Sequence, residues 1–262
     1  MATMIESGQD VSVGRVFSRG FGVIVDNPVT VVSIAFVLGA LPSVILNLVE
    51  QPILRSKMDQ LQIIGSMGLI FGSLLIGLVL QALVQGSLVR ATLAYARGER
   101  ATFGECVRAS LSVALPLVGL AVLMALAVWF GMLLLFVPGV ILYVMWAVAS
   151  PALVAERTGV FEAFGRSRYL TKGARWKVFG VEAILVVGYY IIFAVVIGTL
   201  FSAIGINSVF PSKGLPVGWT LATVVTTTVV DMVWSTVQTS LYVELRNWKE
   251  GLPEQALEEI FA

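Results

Sequence analysis

The sequence predicts an all-α membrane protein: a polytopic helical bundle of six transmembrane helices, with amphipathic helices lying in the plane of the cytoplasmic membrane surface. Three observations predict this class. Hydrophobic residues make up 58% of the 262 residues and charged residues only 13%, about half the charged fraction of a soluble domain. The apolar residues fall in runs of about 20, the length that crosses a bilayer. The Lys and Arg residues cluster between these runs.

The first predicted element is an amphipathic helix near the N-terminus. Residues 13–24 place apolar side chains on one helical face and Arg15 and Arg19 on the other, which is typical of a helix in the membrane surface. Asp26-Asn27-Pro28 is expected to end it.

Six apolar runs predict the spans. Residues 113–155 are divided by Val137-Pro138-Gly139, a turn signal that predicts a hairpin of two spans. In the second span, Gly68 and Gly72 have the spacing that lets membrane helices approach closely. Polar loops are expected at about residues 50–62 and 205–216. The spans are predicted at about residues 29–49, 63–89, 113–136, 140–155, 178–204 and 217–243.

Two further amphipathic helices are predicted between spans. The first begins near Phe103 and has an apolar face that includes Leu111. The second begins near Val160, after a turn at residues 157–159, and Gly173 is expected to end it. Within that helix, Glu162 and Arg166 are four residues apart and are expected to form an ion pair.

The order of these elements predicts a threefold internal repeat. Each unit has an amphipathic helix, a span, a turn and a second span that ends in polar residues and a glycine. The units cover about residues 11–98, 102–157 and 160–251 of a single integral membrane domain, residues 1–262.

The distribution of basic residues predicts the orientation. Fourteen of the 17 Lys and Arg residues fall in the N-terminal segment, the second and fourth connections and the C-terminal segment. Because basic residues in short loops stay on the cytoplasmic side, both termini and the amphipathic helices are expected to face the cytoplasm from the inner membrane.

Residue usage argues against catalysis. The chain contains no histidine, which removes the commonest general base, the usual nucleophile pairs and most zinc sites. No cofactor is expected, and the protein is predicted not to be an enzyme.

Polar residues inside the predicted spans are the first candidate site. Asp231 lies 15 residues before Arg246, about 22 Å along a helix and therefore near the middle of the bilayer. It is expected either to fix helix register or to handle a proton or ligand. A polar layer nearer the cytoplasm, with an Arg90–Glu182 ion pair, is predicted as a structural clasp or the floor of a cavity. Its members are Arg90, Glu182, Gln238 and Glu156.

Basic and aromatic residues in and after the amphipathic helix that begins near Val160 are the other candidates. They suit anionic lipid headgroups, although ordinary retention of positive charge on the cytoplasmic side explains them too, and nucleic acid is not expected. The candidates are Arg166, Arg168, Lys172, Arg175, Trp176 and Lys177.

A family resemblance rests on residues 151–176. The pattern consists of Pro151 to Glu156, Gly159, Ala163, Arg166-Ser167, Leu170-Thr171 and Gly173 to Trp176. It resembles the membrane domain of glycerophosphoryl diester phosphodiesterases, a bacterial family of six-span proteins. The resemblance implies the membrane fold. The soluble phosphodiesterase domain of that family is absent from this sequence, so the resemblance implies no hydrolytic activity.

The sequence therefore favours a non-enzymatic bacterial inner-membrane protein that binds or organises lipid or supports envelope maintenance. One alternative is a small-solute or lipid transporter in which Asp231 titrates. Another is an accessory membrane subunit of a larger complex, with a membrane-protein partner or a second copy of the chain bound to it.

Overall fold

The computed structural model describes residues 11–46, 60–134, 136–204 and 217–251, and in these ranges all regular structure is helical. Most of the predicted loops at residues 50–62 and 205–216 lie outside the described residues. The helices are α1 (Val13–Asp26), α2 (Pro28–Leu46), α3 (Gln60–Ala96), α4 (Phe103–Ser112), α5 (Ala114–Leu134), α6 (Phe136–Glu156), α7 (Val160–Thr171), α8 (Arg175–Ile204) and α9 (Val217–Glu250).

Five of these helices contain segments long and apolar enough to cross a membrane, which indicates a multi-pass membrane protein. The five segments are Pro28–Leu46, Phe71–Ala96, Ala114–Leu134, Phe136–Glu156 and Arg175–Thr199. The sixth predicted span forms part of α9, which has 34 residues and is long enough to cross. It is less apolar than the others because threonine and serine recur along it.

The α5–α6 hairpin is confirmed, but its predicted turn is wrong. Val137, Pro138 and Gly139 lie in the first turn of α6, where a proline costs no helical hydrogen bond. A Cβ built on Gly139 would lie 2.7 Å from the backbone nitrogen of Met132. Glycine at this position therefore lets the two antiparallel helices touch through their backbones.

Helix α6 is interrupted by a turn at Ala147 and Val148, between the segments Phe136–Trp146 and Ala149–Glu156. Pro151 explains the interruption, because its ring cannot share a helix with the carbonyl four residues earlier, which belongs to Ala147.

Helices α1, α4 and α7, which the sequence predicts to be amphipathic, begin close to the predicted residues. Helix α1 buries Val16, Gly20 and Val23, and a Cβ on Gly20 would lie 3.2 Å from the Cα of Val237 on α9. On α4 the predicted apolar face is divided, with Cys106 buried against the bundle and Leu111 58% exposed. The close packing predicted at Gly68 and Gly72 is not found within the described part of the chain, where no neighbouring atom lies within 4 Å of a Cβ built there. That contact belongs to Gly20, Gly86, Gly131 and Gly139.

Local signals set the ends of α7. Arg157 adopts φ 51° directly after α6, and Gly173, the second residue after α7, adopts φ 95°; both have the left-handed backbone that ends helices. The Glu162 carboxylate accepts a hydrogen bond from the Gly159 backbone N–H at 3.0 Å. The predicted Glu162–Arg166 ion pair is therefore wrong: Glu162 caps its own helix, and Arg166 contacts other carboxylates.

Helix α9 lies at the centre of the described bundle and packs against α1, α2, α3, α6, α7 and α8. Its residues Val237, Leu241, Tyr242 and Leu245 are completely buried. In chain order one short helix precedes each pair of long helices, as in the predicted units 11–98, 102–157 and 160–251. The threefold repeat stays a prediction.

Candidate functional site

A polar stripe runs along one face of the central helix α9. Asp231, Ser235, Gln238 and Tyr242 follow one another at spacings of four, three and four residues, which aligns them on a helix. Each faces polar groups or open space on the neighbouring helices, so the candidate site is built around this stripe.

At the middle of the bundle, Asp231 is held by α3. The Gln81 amide donates a hydrogen bond to the Asp231 carboxylate at 3.2 Å. The two residues line a cavity of about 220 Å³ together with Gln85, Trp234 and Ser235. Ser235 is 5% exposed, and its hydroxyl has no hydrogen-bond partner within the described residues. The carboxylate and this hydroxyl give the cavity unused polar capacity.

Further along the stripe, Glu182 of α8 is 2% exposed and lies between two neutral donors. The Tyr143 hydroxyl donates to its carboxylate at 2.8 Å and the Gln238 amide at 3.2 Å. These bonds satisfy a buried carboxyl without a nearby cation. The sequence predicted Glu182 and Gln238 as neighbours, but no residue pattern pointed to Tyr143.

The predicted Arg90–Glu182 ion pair is wrong. Arg90 is half-buried on α3 and acts electrostatically on the Cys106 thiol of α4, while the printed bonds to Glu182 come from Tyr143 and Gln238. The two residues lie at similar depth, but their helices present them to different neighbours.

Glu156 belongs to an ion-pair cluster at the end of the bundle. The Arg166 guanidinium donates to Glu156 at 2.8 Å and also pairs with Glu250. The Tyr242 hydroxyl donates to Glu156 at 2.8 Å, and Arg246 donates to Glu250 at 3.0 Å. The cluster ties α6, α7 and α9 together.

The cluster shifts the pKa values of its members outside the spans. Burial lowers the pKa of Arg166, but its hydrogen bonds to Glu156 and Glu250 outweigh burial and raise it overall. Burial likewise raises the pKa of Glu250, and the hydrogen bonds from Arg166 and Arg246 outweigh this effect and lower it. Both groups are thereby held in their charged forms. Sequence reasoning missed Glu250, although its spacing of four residues from Arg246 was a signal.

A second ion pair joins α1 to α9. The Arg15 guanidinium donates to Glu244 at 2.6 and 2.8 Å, and the Ser12 backbone N–H donates to the same carboxylate at 3.2 Å. Glu244 was not predicted as a site residue. Since its contacts fix the N-terminal helix against the bundle, its role is structural.

The predicted headgroup residues divide into two sets. Arg166 is occupied by the ion-pair cluster, and Lys177 is half-buried. The others are exposed, with Trp176 86% exposed, and Phe161 and Tyr169 are exposed beside them. We call this the basic–aromatic surface; it consists of Phe161, Arg168, Tyr169, Lys172, Arg175 and Trp176.

A larger cavity of about 460 Å³ lies between α3, α5, α6 and α9. Gln85, Tyr143, Ser150 and Gln238 contribute its polar groups, and Met124, Trp129 and Trp234 are among its apolar ones. Gln85 and Trp234 also line the smaller cavity at Asp231. We call the larger one the lateral cavity, because Trp129 at its edge is 62% exposed on the outside of the bundle.

Among the described residues, no group of three or more His, Cys, Asp or Glu side chains could hold a metal ion. Comparison of the chain with protein-family models, with curated proteins and with solved structures found no match.

Proposed function

We propose that this chain is a non-enzymatic protein of the bacterial inner membrane that binds anionic lipid at its cytoplasmic face, and thereby organises lipid or supports envelope maintenance. The basic–aromatic surface carries the proposal. There, exposed cations lie beside exposed aromatic rings at the junction of α7 with the membrane helix α8. Anionic headgroups attract such cations, and aromatic rings settle at headgroup level.

The proposed topology has six spans, with α9 as the sixth, and with both termini and α1, α4 and α7 on the cytoplasmic side. The hydrogen bonds of α9 support its insertion despite its polar residues. The hydroxyls of Thr236, Thr239 and Ser240 each donate to the carbonyl four residues earlier, at 2.7 to 2.8 Å. These side chains are buried in the bundle, so their polarity does not meet lipid.

The expected strength of headgroup binding follows from the number of exposed cations on the basic–aromatic surface. Arg168, Lys172 and Arg175 are exposed, and each basic residue near an anionic surface contributes about 1 kcal/mol. Together they favour anionic over zwitterionic lipid by about 3 kcal/mol, on the order of a hundredfold.

Native mass spectrometry of protein exchanged into nanodiscs tests the proposal. Wild type in an equal mixture of phosphatidylglycerol and phosphatidylcholine is expected to retain phosphatidylglycerol. Replacing Arg168, Lys172 and Arg175 by glutamine should remove most of it. A matched control replaces Arg97, Arg100 and Arg108, which are exposed on the neighbouring connection, and should retain it.

Two results would contradict the proposal. If both triple variants lose phosphatidylglycerol equally, total positive charge and not this surface holds the lipid; if both retain it, the surface does not bind it. A protein that copurifies in place of lipid would favour the accessory-subunit alternative.

A second candidate function, transport with Asp231 as the titrating residue, is favoured by one observation. Asp231 lines a cavity together with the Ser235 hydroxyl, which has no hydrogen-bond partner among the described residues, and such a cavity is a place for a bound proton or small solute. Proton flux into liposomes with a pH-sensitive dye tests it. Flux that Asp231→Asn abolishes would support transport, and equal rates in protein-free liposomes would exclude proton flux.

A further inference from the structure

We propose that the lateral cavity is a second lipid site, separate from the basic–aromatic surface, and that it binds a single-chain amphiphile with an uncharged, hydrogen-bonding head. The proposal rests on the cavity's position, its polar groups and its charge.

The cavity has the size and composition of a ligand site. Its volume is about 460 Å³, within the range of about 300–1,000 Å³ that small-molecule sites occupy. Aliphatic, thioether and indole groups form most of its wall, and a few amides and a phenol interrupt them. This mixture of apolar wall and few polar groups is typical of ligand pockets.

The polar groups of the cavity have hydrogen-bonding capacity left over. The Gln85 amide has no hydrogen bond within the described part of the chain, and Gln238 donates only one of its N–H groups, to Glu182. Tyr143 donates to the same carboxylate and can still accept. Gln238 is 5% exposed, so its free amide groups have little access to water. A ligand head with hydroxyl or ester groups would satisfy them.

Charge selects an uncharged head. No Lys or Arg lines the cavity, and the Glu182 carboxylate lies directly behind its lining, in contact with Tyr143 and Gln238. A phosphate would meet this carboxylate without a compensating cation. Depth has the same effect, because Gln238 lies eight residues before Arg246, the residue taken to mark the membrane boundary, and is therefore about 12 Å inside it along α9, a depth at which a charged headgroup is costly.

The cavity is open on the side where a lipid tail would leave. Trp129 and Met132 at its edge belong to the candidate span Ala114–Leu134 and are exposed on the outside of the bundle. A single alkyl chain can pass between them into the bilayer while the head stays on the amides. The cavity volume of about 460 Å³ favours one chain over two.

Photolabelling tests the proposal. The probe is a monoacylglycerol with a diazirine and an alkyne in its chain, added to the protein in phosphatidylcholine nanodiscs, with labelled peptides mapped by mass spectrometry. Label is expected on the α5 segment around Met124 and Met132. Monooleoylglycerol should compete at least tenfold better than lysophosphatidylglycerol with the same oleoyl chain.

Variants separate the cavity from ordinary lipid contact. Ala125→Trp fills the opening from its wall and should reduce labelling at least fivefold. Leu126→Trp is the matched control, because Leu126 is the next residue of α5, is exposed and does not line the cavity. Gln85→Leu removes one of the hydrogen-bonding amides and should weaken competition by monooleoylglycerol. Thermal unfolding of each variant shows whether it folds.

Three outcomes would overturn the proposal: no label on the α5 segment, equal labelling of the two tryptophan variants, or equal competition by monooleoylglycerol and lysophosphatidylglycerol. None depends on the basic–aromatic surface. Loss of phosphatidylglycerol binding in the triple variant would leave this labelling unchanged.

Discussion

Replacing Arg166 should destabilise the bundle more than replacing Arg168, the other cation of α7. The guanidinium contacts Glu156 and Glu250, and the side chains are 21%, 20% and 32% exposed. Ion pairs in water contribute about 0.2–1 kcal/mol, whereas breaking a buried pair costs about 3–5 kcal/mol. These two pairs are partly exposed, so each contributes about 1 kcal/mol, and Arg166→Met should lower the free energy of unfolding by about 2 kcal/mol.

The single cysteine makes this measurable. Cys106 is completely buried, and a thiol-reactive fluorophore in detergent reports its exposure as the protein is heated. In a protein of this size, 1 kcal/mol changes the midpoint by about 2–4 °C, so Arg166→Met should lower it by about 4–8 °C. Arg168→Met, an exposed cation two residues away on the same helix, should lower it by less than about 2 °C.

Two results would refute this reasoning. Equal midpoints for the Arg166 and Arg168 variants would show that the cluster contributes no more than a surface charge. If Glu162→Gln lowered the midpoint as much as Arg166→Met, the ion pair within α7 would form after all, since glutamine can still cap the helix.

Three further outcomes are expected. Gly20→Ala should lower the free energy of unfolding by about 1–3 kcal/mol, because its new methyl would meet Val237. Gly165→Ala, where no described atom lies near the new methyl, should raise it by about 0.5–1 kcal/mol in the same thermal assay. Glu250, whose pKa is lowered, stabilises the fold above its ordinary pKa of about 4.3 and loses this effect as the pH falls through its lower folded value; the midpoint should therefore drop more steeply below about pH 4 in wild type than in Glu250→Gln. Burial raises the pKa of Cys106 to about 11, so maleimide at pH 8 should label it only after unfolding in dodecyl sulfate, and rapid labelling of the native protein would contradict its burial.

For the candidate site, the sequence predicted the neighbours of its residues only in part. Counting residues along a helix places Glu182 and Gln238 at one level, and the structure joins them. The same count placed Arg90 there, yet Arg90 contacts a different region. Depth follows from rise per residue, whereas the partner depends on how each helix is rotated and which helix lies beside it. When a helix is apolar on all sides, its residue pattern shows neither how it is rotated nor which helix lies beside it.

The sequence by itself determined the helical class, the apolar segments and the ends of the short helices α4 and α7. These features depend on residues close in the chain: apolar runs, the Thr102 and Glu162 caps, and the left-handed residues Arg157 and Gly173. Only the tertiary structure placed Glu250 against Arg166 and opened the lateral cavity. Both depend on how rigid helices pack against α9, and such long-range contacts leave little trace in local residue patterns.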